Sequence, residues 1–262
     1  MKKGIFIAAA VLFSSQSYAQ TDSTKKLDEV VVTATKFPIK QSLTGKVITV
    51  INREQLERNS GKSLTEVLNT QAGLIINGSS NILGTNQDVY MRGAAAGKTL
   101  IMLDGIPMYD ASGISGAFDL NLINADQVER IEILKGSQST LYGSDAIAGV
   151  INIITKKGGA KKINVNANLA AGSYNTYKGS VGLNGTIKNI NYNIQYTKLN
   201  SRGFSAAQDQ TNIGNFDKDG MDENVFRANV NQKINSKLLL RFNSQFSNYK
   251  TDADAGQFKD DA

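Results

Sequence analysis

Carboxylates crowd one glycine turn in the C-terminal half of the chain, where their spacing could bind a metal ion. The stretch FDKDGMDEN places several of them around Gly220. Oxygen ligands gathered on one tight turn suit calcium, which takes about 6–8 oxygens. The loop 209–222 is therefore a predicted Ca2+ site, with Asp209, Asp217, Asp219 and Asp222 as candidate ligands. The bidentate glutamate of an EF-hand loop is missing, and a solvated acidic turn is the alternative.

The composition excludes most other site chemistry. The chain has 262 residues and contains no histidine and no cysteine. This excludes a Ser-His-Asp triad, an imidazole acid or base, a disulfide framework and a zinc site with His or Cys ligands. Paired carboxylates occur only in the acidic loop, so an enzyme is not expected and neither is a prosthetic group. The net charge of +6 is scattered along the chain, so no nucleic-acid partner is expected.

The first residues predict export. Two lysines precede an apolar run from Ile5 to Phe13, and small residues stand at Ser17 and Ala19. This pattern is typical of a secretory signal peptide, here over residues 1–19. The apolar run is too short to cross a bilayer as a helix, and no other stretch predicts a transmembrane helix.

The elements that must position any site fall into two groups. After a polar leader (20–43), residues 44–157 predict a mixed α/β unit, in which short β-prone runs alternate with two short helices. Asn52 and Ser63 are candidate N-caps of those helices. The predicted strands are 46–51, 73–77, 88–93, one within 98–108 that ends at Asp104-Gly105, the imperfectly alternating run 127–136, and 149–155. Gly/Ser/Asn-rich stretches at 77–87 and 109–119 are typical of functional loops.

A different pattern begins at residue 160. Five segments of about ten residues alternate apolar and polar side chains, as in Ile163, Val165, Ala167 and Leu169 against three intervening asparagines. This length suits tilted strands that cross about 30 Å of hydrocarbon, whereas sandwich strands are nearer five or six residues. Short turns and one long loop at 200–223 also favour a transmembrane barrel. A secreted β-sandwich or an adhesin is the alternative.

Several motifs resemble those of the TonB-dependent outer-membrane receptors. LDEVVVTAT (27–35) resembles the energy-coupling box of that family. DVYMRG (88–93) resembles its strand that ends in Arg-Gly, and LIMLDGIPM (100–108) resembles its Leu-Asp-Gly-Val-Pro turn. VERIEILKGSQSTLYGSDAIAGVINIITKK (128–157) resembles the signature that closes the plug, with Gly136-Ser137 where the family usually has Gly-Pro. The implied fold is an α+β plug domain (44–157) followed by antiparallel transmembrane β-barrel strands (160–262), which form an incomplete barrel. Gly143 and Gly149 are expected to allow a tight reversal and a close approach to the barrel wall.

The resemblance implies two partners, one a protein complex and the other a lipid membrane. An outer membrane offers no ATP, so the energy must arrive from the inner membrane through the TonB complex. The box would pair edgewise with a TonB strand through its backbone, using Leu27, Asp28, Glu29, Val30, Val31, Val32 and Thr33. The other partner is the lipid of a Gram-negative outer membrane.

Within the family, the loops resemble those of members that take up vitamin B12, a corrinoid. This likeness implies ligand contacts from Ile114 and Ser115, and from Asn86 and Asp88. Those members also carry an acidic, calcium-binding loop at the position that corresponds to loop 209–222 of this chain. Receptors for iron–siderophore chelates share the scaffold, so an iron chelate is the alternative ligand, and generic Ser/Gly loops are the alternative to a ligand site.

The number of predicted strands also bears on function. Large plugged barrels have about 22 strands, and only five barrel strands are predicted here. We therefore expect an N-terminal fragment of a longer receptor, which would not transport by itself. Two hypotheses of other classes stay open: a stand-alone exported ligand-binding module, in which the plug acts alone, and an exported hydrolase.

Overall fold

The computed structural model describes residues 30–78, 83–112, 115–205, 207 and 216–252. Several predictions concern residues outside these ranges. They are the signal peptide (1–19), the box residues Leu27, Asp28 and Glu29, the predicted corrinoid contact Ile114 and the predicted calcium ligand Asp209. Within them, a mixed α/β unit (30–155), called the plug below, precedes one long antiparallel sheet, called the wall sheet. This confirms the predicted fold class.

The plug contains nine short strands and three short helices in its described residues. The strands are β1 Val30–Val31, β2 Ile39–Lys40, β3 Ile48–Ile51, β4 Leu74–Asn77, β5 Asp88–Met91, β6 Thr99–Leu103, β7 Ile106–Met108, β8 Val128–Lys135 and β9 Gly149–Thr155. The helices are α1 Arg53–Arg58, α2 Leu64–Asn69 and α3 Ser139–Tyr142.

Five of these strands form the central sheet of the plug, in the order β3-β8-β9-β6-β7. β6 and β9 are parallel, with Thr99 opposite Gly149, and the other neighbours are antiparallel. β1 pairs with β2 and β4 pairs with β5 as separate antiparallel ladders.

Both predicted N-caps are confirmed. The Asn52 side chain accepts a hydrogen bond from the Gln55 N–H, and Gln55 Oε1 accepts one in return from the Asn52 N–H, each over 3.0 Å. Ser63 and Glu66 make the same reciprocal pair at the start of α2. Each pair satisfies two backbone donors that a helix start otherwise leaves open, which is typically worth about 1 kcal/mol.

The core of the plug lies around β8 and β9. Ile131, Ile133, Ile151 and Ile153 are fully buried. All seven residues of β9 are buried, which explains why GVINIIT is mostly apolar, apart from Asn152 and Thr155, instead of alternating. Each such side chain contributes about 1.5–3 kcal/mol on burial, so this core stabilises strands too short to persist alone.

Gly149 serves the core and not the wall. A Cβ at this position would meet the carbonyl oxygen of Leu134 and the sulfur of Met91, both within the plug. The expected close approach to the barrel wall is therefore wrong, because the neighbours of Gly149 are β8 and β5. Gly143, with φ of 91°, ends α3 and makes the expected reversal.

The wall sheet is an antiparallel meander whose strands pair in chain order. Its strands are β10 Asn164–Gly172, β11 Thr176–Ile187, β12 Ile190–Ser201, β13 Met221–Lys233 and β14 Leu239–Thr251. They contain 9 to 13 residues, close to the predicted length. Within the described residues the sheet is open, and residues 202–220 connect β12 to β13.

The two faces of the wall sheet are inverted relative to a sheet of a water-soluble protein. Ala167, Val181, Tyr196, Phe226 and Phe246 lie directly opposite one another across the five strands. The last four of these side chains are 42–66% exposed. The neighbouring polar row includes Gln195 and Arg227, each 4% exposed, and faces the plug. An apolar outer face and a polar inner face are typical of strands that face lipid.

The helices are a separate matter. No helix in the described ranges is long and apolar enough to span a membrane.

Candidate functional site

The described part of the predicted energy-coupling box, residues 30–35, lies against the plug and is called the coupling segment below. Only Val30–Val31 is a strand, paired with Ile39–Lys40, and the chain then turns so that the Lys36 N–H donates to the Val32 carbonyl over 2.9 Å. The predicted β-prone run is thus a strand at two of its described positions. Val31, Thr33 and Ala34 are buried, while Val30 is half-exposed.

One buried carboxylate holds this segment. Oε2 of Glu132 accepts hydrogen bonds from the backbone N–H of Val32 (2.9 Å) and of Thr33 (2.8 Å). The same oxygen accepts the Thr33 hydroxyl over 2.6 Å. Oε1 pairs with the Arg130 guanidinium over 2.9 Å, and the Glu132 side chain is 0% exposed. The charge of Glu132 is therefore balanced by one cation and three donors, as a buried carboxylate requires.

Three further side chains complete the contact. Asn152 Nδ2 donates to Thr33 Oγ1 over 3.1 Å, and the Tyr142 hydroxyl donates to the Thr33 carbonyl over 2.9 Å. Lys46 Nζ donates to the Ala34 carbonyl over 2.8 Å. Together, Glu132, Asn152, Tyr142 and Lys46 are called the seat. Burial, and then the nearby Glu132 carboxylate, raise the pKa of Tyr142, which keeps its hydroxyl a donor at neutral pH.

The seat occupies groups that a partner strand would need. Strand addition uses the backbone N–H and carbonyl groups of an extended segment. In the coupling segment, two of these N–H groups are bound to Glu132 and two carbonyls are bound to Tyr142 and Lys46. The seat and a partner strand would therefore compete for the same backbone groups.

The predicted ligand-binding residues that the structure describes lie in or next to two loops. Asn86 lies in the loop before β5, Asp88 begins β5, and Ser115 lies between β7 and β8. Asn121, just after the second loop, donates to the Thr85 carbonyl over 2.8 Å. The two predicted loops therefore have a direct connection.

Both loops also contact the end of β14. The Thr251 hydroxyl donates to the Leu83 carbonyl over 3.1 Å, and the Tyr249 hydroxyl lies 3.4 Å from Asp119 Oδ2. Gly84 packs so closely on Thr251 that a Cβ there would lie 2.7 Å from its side chain. Burial raises the pKa of Asp119, and hydrogen bonds from Asn121 and Tyr249 oppose that shift.

A cavity of about 370 Å³ opens beside Ser115. Its lining combines apolar side chains, such as Phe118, with the polar groups of Thr99, Tyr109 and Asp145. Burial, and then Asp145, raise the pKa of Tyr109. The cavity therefore offers both apolar surface and hydrogen-bonding groups to a ligand.

A third polar cluster joins the plug to the wall sheet. Arg227 Nη2 on β13 lies 3.2 Å from Asp104 Oδ2, which is in the β6–β7 turn. The Asp104 carboxylate also accepts the Thr155 N–H (2.9 Å) and the Thr155 hydroxyl (2.6 Å). Asn229 Nδ2 donates to that same hydroxyl over 3.1 Å. The Asp104–Arg227 pair is called the clasp below.

The acidic loop is described only in part. Among the described residues, no group of three carboxylates lies close enough to hold a metal ion. Asp222 belongs to β13, where its carboxylate is bound by Lys198 over 2.5 Å, and Asp219 is buried. Asp209 lies outside the described residues, and the calcium site stays a prediction.

Sequence reasoning missed Glu132, Asp104 and Arg227. One signal was available for Glu132, since it stands between Ile131 and Ile133 in a strand that is otherwise apolar at its centre. A carboxylate in that position must find donors from another part of the chain. Asp104 and Arg227 gave no such signal, because a turn aspartate and an alternating-strand arginine are both common on surfaces.

Comparison with known proteins finds a family model and several relatives to which this chain is similar. Residues 40–150 match the family model described as the TonB-dependent receptor plug domain. Over 157 residues, the chain is 38% identical to a vitamin B12 transporter, BtuB, of Vibrio cholerae serotype O1. That match covers 59% of this chain and 25% of the transporter, so the chain spans about a quarter of the length of the curated relatives it matches.

Solved structures give the same fold. The pyoverdine outer membrane receptor FpvA of Pseudomonas aeruginosa PAO1 superimposes with a TM-score of 0.67 at 19% identity, over 87% of this chain and 31% of that receptor. A mutant of the ferric enterobactin receptor PfeA of Pseudomonas aeruginosa superimposes with a TM-score of 0.64 at 24% identity, over 85% of this chain and 35% of that receptor. At these identities, the likeness concerns the fold.

Proposed function

We propose that the chain is part of a TonB-dependent outer-membrane receptor, whose plug-domain model its residues 40–150 match, and that it serves in the uptake of a large, scarce nutrient across the outer membrane of a Gram-negative bacterium. The observation that carries the proposal is that one chain combines a coupling segment bound in its seat with a wall sheet that has an apolar outer face. The coupling segment is the part on which a partner would pull, and the apolar outer face of the wall sheet is the surface that would contact lipid.

In the proposed mechanism, the inner-membrane TonB complex captures the coupling segment by strand addition. The donors of Val32 and Thr33 would leave Glu132 and pair with the partner strand, so part of the lost hydrogen bonding is regained at once. Force on the segment, drawn from the inner-membrane proton motive force, then loosens the plug. A ligand held by the loops around Asn86, Asp88, Ile114 and Ser115 loses contacts and passes inward.

We propose a corrinoid such as vitamin B12 as the ligand. The support is the 38% identity to a vitamin B12 transporter over 157 residues. A ferric siderophore is the second candidate, and it is favoured by the fold likeness to the pyoverdine and ferric enterobactin receptors. Those receptors are less similar in sequence, so the corrinoid takes precedence.

The test is uptake of radiolabelled cyanocobalamin by cells that carry the receptor, with ferric enterobactin and ferric pyoverdine as competitors. Val30→Pro removes a backbone donor of the coupling segment and should abolish uptake while leaving ligand binding intact. Val30→Ala is the matched control, since it removes the side chain and keeps the N–H. Uptake that persists in the proline variant would refute the coupling role, and uptake blocked only by an iron chelate would reassign the ligand.

Calcium binding by loop 209–222 is a separate proposal. It rests on the spacing of Asp209, Asp217, Asp219 and Asp222 around one glycine turn. Calcium titration of the thermal unfolding midpoint, with Asp209→Asn as the variant, tests it directly.

A further inference from the structure

Asn152 connects two regions of the plug that are distant in sequence. It lies on β9 opposite Glu132 of β8 and is 5% exposed. Its Nδ2 donates to Thr33 Oγ1 in the coupling segment over 3.1 Å, and its Oδ1 accepts the Gly105 N–H over 3.2 Å. One side-chain amide therefore contacts both the coupling segment and the β6–β7 turn.

The neighbouring groups determine the orientation of this amide. The Thr33 hydroxyl gives its proton to Glu132 over 2.6 Å, so its oxygen is left as an acceptor for an N–H of Asn152. The Gly105 N–H can only donate, so it requires the oxygen of Asn152. Both contacts depend on one side-chain position, and losing Thr33 would leave a buried N–H group without its partner.

The β6–β7 turn carries the clasp. Asp104 and Gly105 both have positive φ, 52° and 86°, so the turn is tight and its backbone is closely defined. The Asp104 carboxylate reaches Arg227 on the wall sheet. Arg227 is itself positioned by Asn229 over 3.3 Å and by Gln245 over 3.4 Å. A displacement of Gly105 would move the adjacent Asp104, which forms the ion pair with Arg227 on the wall sheet.

We propose that Asn152 is a positioning residue that couples the seat to the clasp. When Thr33 leaves the seat, Asn152 loses the partner that holds its amide, the Gly105 turn loosens, and the Asp104–Arg227 contact weakens. Because such coupling is reciprocal, a weakened clasp makes release of the coupling segment easier. The inference rests on the proposed function for its biological purpose, because it lets capture of the segment loosen the plug at the wall.

The test measures release of the coupling segment directly. The chain contains no cysteine, so Val31→Cys, at a fully buried position of the segment, reacts with a thiol reagent only when the segment opens. The labelling rate is measured in the purified receptor without ligand or TonB. In this background, Arg227→Gln should raise the rate about threefold or more. With Asn152→Leu also present, the same change at Arg227 should have no further effect, because the connection is already broken.

Lys178→Gln is the matched control. Lys178 on β11 makes another ion pair between wall and plug, 2.9 Å from Asp126, but has no contact with the seat in the described residues. This variant should leave the labelling rate unchanged. Asn152→Ser is the second variant if Asn152→Leu fails to melt cooperatively, and it should also abolish the effect of Arg227→Gln.

Three results would overturn the inference. They are no effect of Arg227→Gln, an equal effect with and without Asn152, and an equal effect of Lys178→Gln. None of these measurements involves uptake, so a failure here is distinct from a failure of the transport proposal.

Discussion

The Thr33 hydroxyl donates to Glu132 Oε2 over 2.6 Å and so joins two residues 99 positions apart in the chain. The contact is fully buried, and the same oxygen also accepts two backbone N–H groups. A segment held this way is ordered at rest and yet can leave as a unit, because three of its six hydrogen bonds to the seat converge on one carboxylate.

Removing the charge of Glu132 should release the coupling segment. Glu132→Gln replaces one carboxylate oxygen with an NH2 group. That group can only donate, so it would face donors that pair with a carboxylate oxygen in the wild type. Hydrogen bonds to a charged group are worth about 1.5–3 kcal/mol each, so we expect thiol labelling of Val31→Cys to rise about tenfold or more. An unchanged labelling rate would show that Glu132 does not hold the segment.

Glu129→Gln is the control for this prediction. Glu129 lies on the same strand, but its ion pair with Arg53 is 3.4 Å long and partly exposed. Exposed pairs of this kind are worth about 0–1 kcal/mol, so labelling should stay near the wild-type rate.

The contact between the two ligand loops should matter for affinity. Asn121→Ala removes the hydrogen bond to the Thr85 carbonyl and should weaken corrinoid binding about fivefold, since one such bond is worth about 1 kcal/mol. Equilibrium binding of cyanocobalamin to the purified receptor measures this. Asn189→Ala, in the β11–β12 turn at the other end of the wall sheet, should bind normally. Unchanged affinity in Asn121→Ala would count against the proposed ligand site.

The close packing at Gly149 predicts a large loss of stability. In Gly149→Ala, the added Cβ would overlap the Leu134 carbonyl, which is backbone and cannot move aside. We expect the free energy of unfolding to fall by at least about 2 kcal/mol. Gly45→Ala is the control, because its Cβ would meet nothing within 4 Å. Thermal unfolding of the two variants should therefore diverge, and equal midpoints would contradict the packing.

Two aspartates of the ligand loops should respond to pH with opposite signs. Burial raises the pKa of Asp119 above its ordinary 3.8, so the folded state holds its proton more tightly than the unfolded state. Stability then falls as pH rises from 3.8 through the raised pKa. Asp119→Asn should therefore raise the thermal midpoint at pH 7, and the gain should vanish in acid.

Asp110 supplies the comparison. The Ser112 hydroxyl, and then its N–H, lower the pKa of Asp110, so its ionised form contributes stability above the ordinary pKa. Asp110→Asn should lower the midpoint at pH 7, with the loss disappearing as pH falls. Shifts of the same sign in the two variants would contradict these environments.

Much of the fold could be predicted because its causes are local. The caps at Asn52 and Ser63 depend on residues three positions away, and the wall strands follow from strict alternation. The imperfect alternation of β8 has a local cause as well, an irregularity in its pairing between Val128 and Arg130.

The seat and the clasp could not be predicted for a physical reason. Thr33, Glu132 and Asn152 come from three separate stretches: the order of the central sheet places Glu132 beside Asn152, and Thr33 meets both only because its segment packs against that sheet. Likewise, Arg227 meets Asp104 only because β13 packs its polar face on the β6–β7 turn. Pairing of this kind depends on tertiary geometry, of which the local pattern carries no trace.

The central claim is that the wall sheet faces lipid on one side and the plug on the other. Spin labels on single cysteines at Leu169 and Val181, on the outer face, and at Asn168 and Ser180, on the inner face, test it in receptor reconstituted into bilayers. The account predicts that the outer labels collide freely with oxygen and not with a water-soluble nickel chelate, while the inner labels are shielded from both. Outer labels as accessible to the nickel chelate as a water-exposed residue would contradict it.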